Sequence, residues 1–64
     1  MKDKIAETIK TYRILSGYTQ EDLARECGVS RLTIYFWETG AHAPNPHSLK
    51  KLMEILKIRK SDFR

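Results

Sequence analysis

Apolar residues recur every three or four positions along most of the chain, which is the spacing of amphipathic helices rather than of strands. The first such stretch predicts a helix over about residues 3–16, ended by Gly17 in a left-handed conformation. Ile14 and Leu15 lie off its apolar stripe, so they are either exposed or covered by a neighbouring helix. The stripe itself consists of Ile5, Ile9 and Tyr12.

A second, shorter helix is predicted to begin after Thr19, whose hydroxyl can accept a hydrogen bond from the backbone amides of the next turn. Asp22 can reach back to the Thr19 amide and complete a capping box. Gly28 is expected to end this helix. Its inward side is formed by Leu23, Ala24 and Cys27.

A third helix follows after a very short turn. Ser30 can cap it, Gly40 can end it, and Ile34 and Trp37 have the spacing of an inward face over about residues 31–39. Two short helices joined by a tight turn that contains glycine form a helix-turn-helix.

Asn45 is predicted to cap a fourth helix, with Pro46 at the first helical position, where its missing amide hydrogen costs nothing. A last turn near residues 60–63 is predicted to fold Ile58 and Phe63 back onto the bundle. The core stripe of the fourth helix is Leu49, Leu52, Met53 and Leu56.

The chain has 64 residues, so we expect residues 1–64 to form a single domain with a marginal core. No apolar run approaches the ~18 residues of a membrane span, and no signal peptide is recognisable. The single Cys27 cannot form an internal disulfide, as expected in a reducing compartment. A soluble, cytoplasmic protein is therefore expected.

The formal net charge is +4, which favours a polyanionic partner such as nucleic acid. Between residues 30 and 48 the one permanent cation is Arg31, whereas the C-terminal segment is rich in cations. We interpret this C-terminal cluster as a solvated helix face in preference to a dedicated phosphate-binding stripe. Its members are Lys50, Lys51, Lys57, Arg59, Lys60 and Arg64.

Catalytic and metal-binding chemistry is poorly represented in the sequence. Cys27, His42 and His47 are the one set that could combine a nucleophile with a base or hold a metal, and their spacing fits no standard zinc pattern. We also expect Cys27 to be a small buried hydrophobe, because no organised base is evident beside it. No enzymatic activity, metal or cofactor is expected.

Several motifs together resemble the phage repressor and Cro type of helix-turn-helix DNA-binding domain, also called lambda-repressor-like or XRE-type. The match runs without gaps from about Ile5 to Phe63, which is more specific than a bare helix-turn-helix pattern. Its motifs are Gln20 within YTQEDLA, the GVS turn, the WETG end of the third helix, Pro44, and the series Leu49, Leu52, Leu56 and Ile58.

The resemblance implies a compact five-helix all-α bundle and a prokaryotic or phage transcriptional regulator, a repressor, that binds specific double-stranded DNA. It also implies that the second helix lies across the DNA backbone and that the third enters the major groove. Arg13 and Glu38 are implied to form a partly buried structural ion pair, which ties the first helix to the end of the third.

The resemblance also implies contacts to DNA phosphates, which we assign to six residues. Thr19 and Ser30 serve either as caps alone or as caps and contacts, whereas Gln20 is not needed as a cap. The loop at residues 41–43 lacks the lysine or arginine common in the family, so we expect lower affinity and weaker salt dependence than in a lysine-rich relative. The six residues are Thr19, Gln20, Ser30, His42, His47 and Ser48.

Four residues lie opposite the inward face of the third helix and are predicted to read bases. Arg31 matches the O6 and N7 acceptors of guanine, although a phosphate contact or a free surface cation is an equal alternative. The three apolar residues can pack on thymine methyl groups, or Tyr35 or Phe36 can lie against the following loop instead. The four are Arg31, Leu32, Tyr35 and Phe36.

Two functional hypotheses follow. In the first, the protein binds a palindromic operator as a weak homodimer, or as a dimer formed only on DNA, because one small recognition helix rarely gives enough affinity. In the alternative, the fold is a protein-interaction module, antitoxin-like or regulator-binding, that uses the exposed Leu32, Tyr35 and Phe36 face. Neither hypothesis involves a membrane or a small-molecule substrate.

Overall fold

The computed structural model describes residues 3–63 and confirms the all-helical prediction. Four α-helices follow one another and a short 3-10 turn closes the described chain. None of these helices combines the length and the apolar character needed to cross a bilayer. The elements are α1 (Lys4–Leu15), α2 (Gln20–Cys27), α3 (Arg31–Thr39), α4 (Pro46–Leu56) and the 3-10 turn (Lys60–Phe63).

Helix α1 begins at an N-cap that the hydrophobic pattern did not reveal. Asp3 Oδ1 accepts hydrogen bonds from two backbone amides of the first turn. The helix ends before Gly17, whose φ of +79° is the predicted left-handed conformation. Ile14 and Leu15 are 56% and 76% exposed, so no neighbouring helix covers either side chain.

The predicted caps of the other three helices are confirmed. Thr19 and Asp22 form the reciprocal capping box of α2. The Ser30 hydroxyl caps α3, and the Asn45 side chain caps α4 with Pro46 at its start. Each helix therefore begins where a side-chain oxygen can satisfy an amide that has no partner inside the helix.

The core is assembled from one fully buried aliphatic side chain of each helix: Ile9, Leu23, Ile34 and Leu52. Helix α3 packs against both α1 and α2, and α4 also packs on α1 and α2. This central position fixes which side of α3 faces inward. The other buried members of the cluster are Ala24, Cys27, Trp37, Leu56 and Ile58.

The expectation of five helices is wrong for the described chain. Helix α4 stops where Lys57 takes a left-handed conformation, with φ of 57°. Arg59 N then donates to Asp62 Oδ2 at 2.9 Å, and Asp62 N donates to Arg59 O at 2.9 Å, which closes one tight turn over Lys60–Phe63. A segment of four residues is too short to propagate an α-helix, so it forms a 3-10 turn.

The 3-10 turn nevertheless folds back as predicted. Ile58 is buried, and Phe63 packs against the core. Thr8 Oγ1 donates to Asp62 O at 3.4 Å, which links α1 to the turn. The pKa of Tyr12 is raised by burial and by its hydrogen bond to Asp62, so this tyrosine contributes a second link.

Candidate nucleic-acid interface

The orientation of α3 is set by its neighbours. Gly28, with φ of 72°, ends α2 in a left-handed turn that only a residue without a Cβ adopts easily. Ile34 and Trp37 are buried on the inward side of α3, as predicted. The opposite side is open to solvent, with Leu32 53% and Tyr35 46% exposed. The second helix of the helix-turn-helix therefore presents an apolar outward face.

Arg31 is exposed at the first position of α3, immediately after the Ser30 cap. It makes no ion pair with any residue between 3 and 63. Its guanidinium, a planar fork of five donors, is thus available to a partner. This placement suits a base edge or a phosphate equally well.

Phe36 differs from its exposed neighbours because it is half-buried. Its ring centroid lies 5.0 Å from that of His42, with the planes at 83°, and 5.9 Å from that of Tyr35. The structure thus brings a predicted base reader and a predicted phosphate contact together. Phe36 lies against the following loop, as one alternative anticipated, whereas Leu32 and Tyr35 stay exposed.

The hydroxyl group of Thr19 takes part in capping. Its Oγ1 accepts from Asp22 N at 3.0 Å, and Asp22 Oδ2 accepts from Thr19 N at 3.1 Å. The backbone hydrogen bond from Thr19 lowers the pKa of the Asp22 carboxyl. A hydroxyl that accepts one bond keeps its own proton to donate, so Thr19 can cap α2 and also donate to a phosphate.

Gln20 has a contact that the sequence analysis missed. Its Nε2 donates to Glu38 Oε1 at 3.1 Å, across from the start of α2 to the end of α3. This bond holds the carboxamide in place and leaves Oε1 and the second N–H of Nε2 for an external partner. No local sequence pattern connects two residues 18 positions apart.

The carboxylate that receives Gln20 also receives Arg13. Arg13 Nε donates to Glu38 Oε2 at 2.5 Å and Arg13 Nη2 donates to Glu38 Oε1 at 3.1 Å, which is a bidentate pair. Arg13 Nη1 donates to Tyr18 O at 2.9 Å. The side chains are 12% and 2% exposed. The end of α1, the start of α2 and the end of α3 thus meet at one buried carboxylate.

Ser30 and Ser48 both lie at the beginning of a helix. Ser30 Oγ accepts from Thr33 N at 3.2 Å and lies 2.9 Å from Thr33 Oγ1. Ser48 N donates to Asn45 Oδ1 at 2.8 Å. Thr33 was not singled out from the sequence, although its spacing from Ser30 is that of a cap partner.

The two histidines have different surroundings. His42 is exposed in the loop after α3, against Phe36. His47 is exposed near the start of α4 and lines a shallow depression with Lys50, Lys51 and Glu54.

Cys27 is buried in the core, as predicted, and burial raises the pKa of its thiol. A thiol that resists ionisation is a poor nucleophile and a poor metal ligand. Within residues 3–63, no three histidine, cysteine, aspartate or glutamate side chains gather as a metal site would require.

Two short helices joined by a left-handed glycine, with the second helix exposed along its outer side, define a helix-turn-helix protein. The helix-turn-helix family pattern matches residues 9–63. The chain belongs to this family, and the resemblance to the phage repressor and Cro type of DNA-binding domain is confirmed.

Two archaeal relatives agree with this assignment. An uncharacterised HTH-type transcriptional regulator of Methanocaldococcus jannaschii is 47% identical over 58 residues, which cover 91% of this chain and 77% of the relative. An uncharacterised HTH-type transcriptional regulator of Archaeoglobus fulgidus is 37% identical over 55 residues, covering 86% and 79%. No solved structure matches the chain significantly.

Proposed function

We propose that this protein is a sequence-specific DNA-binding regulator of transcription, and that it inserts α3 into the major groove. The observation that carries the proposal is the open outward side of α3, with Arg31 at its start and Leu32 and Tyr35 exposed along it. An α-helix with its side chains is about 10–12 Å in diameter, which fits the roughly 12 Å width of the major groove. Family membership and the names of the two relatives support the proposal.

Arg31 and the apolar residues have separate tasks in this proposal. The arginine donates a forked pair of hydrogen bonds to guanine, and the exposed Leu32 and Tyr35 pack on thymine methyl groups, while Phe36 packs against Tyr35 and His42. Phosphate contacts from Thr19, Gln20, Ser30, His42, His47 and Ser48 set the register of the helix on the duplex.

The regulator acts as a repressor in the cytoplasm and binds a palindromic operator as a two-fold pair. Support for pairing comes from size, because a single recognition helix with few permanent cations near it gives low affinity alone. Half-sites about one helical turn apart allow both copies to contact the same side of the duplex.

Selection of bound sequences from a random duplex pool tests the proposal. We expect the wild type to enrich one motif at low salt. Arg31→Ala should relax a single guanine position, at a cost of roughly 1–3 kcal/mol in discrimination. Arg31→Lys is the matched control, because it keeps the charge and loses the planar fork. Failure of the wild type to enrich any motif would refute the proposal.

A second function is favoured by one observation, the apolar character of the exposed Leu32 and Tyr35. In that function, the same face of α3 binds a protein, such as a toxin or a larger regulator. Salt distinguishes the two functions: DNA binding weakens steeply between about 50 and 200 mM salt, whereas an apolar protein contact does not.

A further inference from the structure

The segment that joins α3 to α4 has no permanent cation. Between Arg31 and Lys50 the sequence has no lysine or arginine, so His42 and His47 are the two side chains there that can become cations. Histidine changes its charge between about pH 5 and 8, where lysine and arginine stay protonated. The positive charge of this stretch of sequence therefore depends on histidine, while the fixed charges of Asp3, Glu7 and Lys10 lie beside the end of α3.

His42 is held at a defined place beside α3. Its backbone N donates to Phe36 O at 3.3 Å, and its ring centroid lies 5.0 Å from that of Phe36. A cation within about 6 Å of an aromatic centroid can be attracted by the ring's quadrupole. Thr39 also ties the loop to the helix, because its Oγ1 donates to Phe36 O at 3.2 Å and accepts from Ala41 N at 3.4 Å.

We infer that His42 is a protonatable phosphate contact, positioned by Phe36, so that DNA binding is coupled to the uptake of a proton by this imidazole. The inference rests on the proposed DNA-binding function. An imidazolium next to a phosphate forms a charge-assisted hydrogen bond and releases a counterion, and a neutral imidazole does not add that charge. Phe36 is the positioning residue, since it contacts the imidazole itself.

The surroundings of the two histidines favour His42 over His47 as the coupled group. Within residues 3–63 His42 makes no ion pair; its ring packs against the Phe36 ring and its backbone N donates to Phe36 O. His47 shares its depression with Lys50, Lys51 and Glu54, so two permanent cations already offer positive charge to a phosphate there, and one more positive charge adds a smaller share.

The test is the ratio of the dissociation constants at pH 8.0 and pH 6.0, measured at constant ionic strength. The DNA is a duplex recovered by the selection or, if no motif appears, a random-sequence duplex. For the wild type we expect binding to be roughly three- to tenfold tighter at pH 6.0 than at pH 8.0. The slope of the logarithm of the binding constant against the logarithm of the salt concentration should also be steeper at pH 6.0 by about 0.9, the contribution of one phosphate contact. His42→Gln should reduce this ratio by more than His47→Gln does, and Lys4→Gln, a change at an exposed cation outside the predicted DNA contacts, should keep the wild-type ratio.

Two further variants separate positioning from folding. Phe36→Leu should reduce the ratio and Phe36→Tyr should restore it, while circular dichroism confirms that both remain helical. His42→Arg should bind tightly at both pH values, because its charge is permanent.

A wild-type affinity that does not change with pH would overturn the inference and leave the proposed function intact. Retention of the wild-type ratio by His42→Gln or by Phe36→Leu would also overturn it. A wild type that binds no duplex at either pH would instead refute the DNA-binding function itself.

Discussion

Each side of α3 carries a residue type that is unusual for its environment. The inward side buries a carboxylate, Glu38, whereas the outward side exposes Leu32 and Tyr35. Both oxygens of the buried carboxylate accept hydrogen bonds inside the molecule, from Arg13 and Gln20. Among residues 3–63 no buried side-chain polar atom lacks a partner.

The exposed apolar residues have no comparable cover within the described chain. A buried charge with several donors holds the helix ends in one arrangement, whereas an apolar side chain in water gains free energy when a partner covers it. We conclude that Glu38, with Arg13 and Gln20, forms the framework that orients α3. Leu32 and Tyr35 belong to the surface through which α3 can contact a partner.

The largest expected effect is a loss of stability when the Glu38 carboxylate is removed. Glu38→Ala leaves the Arg13 guanidinium in a nearly dry site without its partner, so we expect the free energy of unfolding to fall by about 3–5 kcal/mol. Urea unfolding followed by circular dichroism measures this change. The exposed Glu26 is the matched control on α2, and Glu26→Ala should change stability by less than about 0.5 kcal/mol.

The double variant Arg13→Met/Glu38→Leu sharpens this prediction. It removes both charges and keeps volume in the site, so it should be more stable than Glu38→Ala alone. Equal losses for Glu38→Ala and Glu26→Ala would show that the Glu38 carboxylate does not hold the framework.

A smaller effect is expected at the start of α3. Ser30→Ala removes the cap of this helix and should cost about 1 kcal/mol of stability. Asp3→Ala is the comparison, because it removes the cap of α1 and none of the predicted DNA contacts. If Ser30 also contacts phosphate, Ser30→Ala should weaken DNA binding, whereas Asp3→Ala should not. Equal affinities for the two variants would make Ser30 a cap only.

The smallest expected effect on stability concerns Asp62 and appears only in acid. The backbone hydrogen bond from Arg59 holds the pKa of this carboxyl below its usual range. A lowered folded-state pKa contributes stability above the unfolded-state value of about 4, and this contribution is lost as the pH falls through the folded-state value. The urea midpoints of wild type and Asp62→Asn should differ at pH 7 and converge below pH 4. A difference that stays constant would contradict this account.

The limits of α3 and its buried side could be predicted from the sequence because each of these signals is local. Caps, terminal glycines and helical spacing at Ser30, Gly40, Ile34 and Trp37 depend on the nearest few residues. The number of helices was less predictable, since the segment after Lys57 is long enough for one turn and too short for a helix.

The contacts of the candidate site were harder to predict because they join distant positions. The bond from Gln20 to Glu38 and the packing of Phe36 against His42 depend on how three helices and a loop meet. Family resemblance supplied the pairing of Arg13 with Glu38, and nothing in the local pattern would have indicated it.

The central claim, that the apolar outward face of α3 meets DNA bases, can be tested by replacing thymine with uracil in the selected duplex. This change removes only the C5 methyl group, which is worth about 0.8 kcal/mol when buried, or roughly a fourfold change in affinity. We predict that wild type loses about this factor for each contacted methyl and that Leu32→Ala, which should fold normally, loses less at the position Leu32 contacts. Equal affinity of the wild type for the thymine and uracil duplexes at every position would contradict the account.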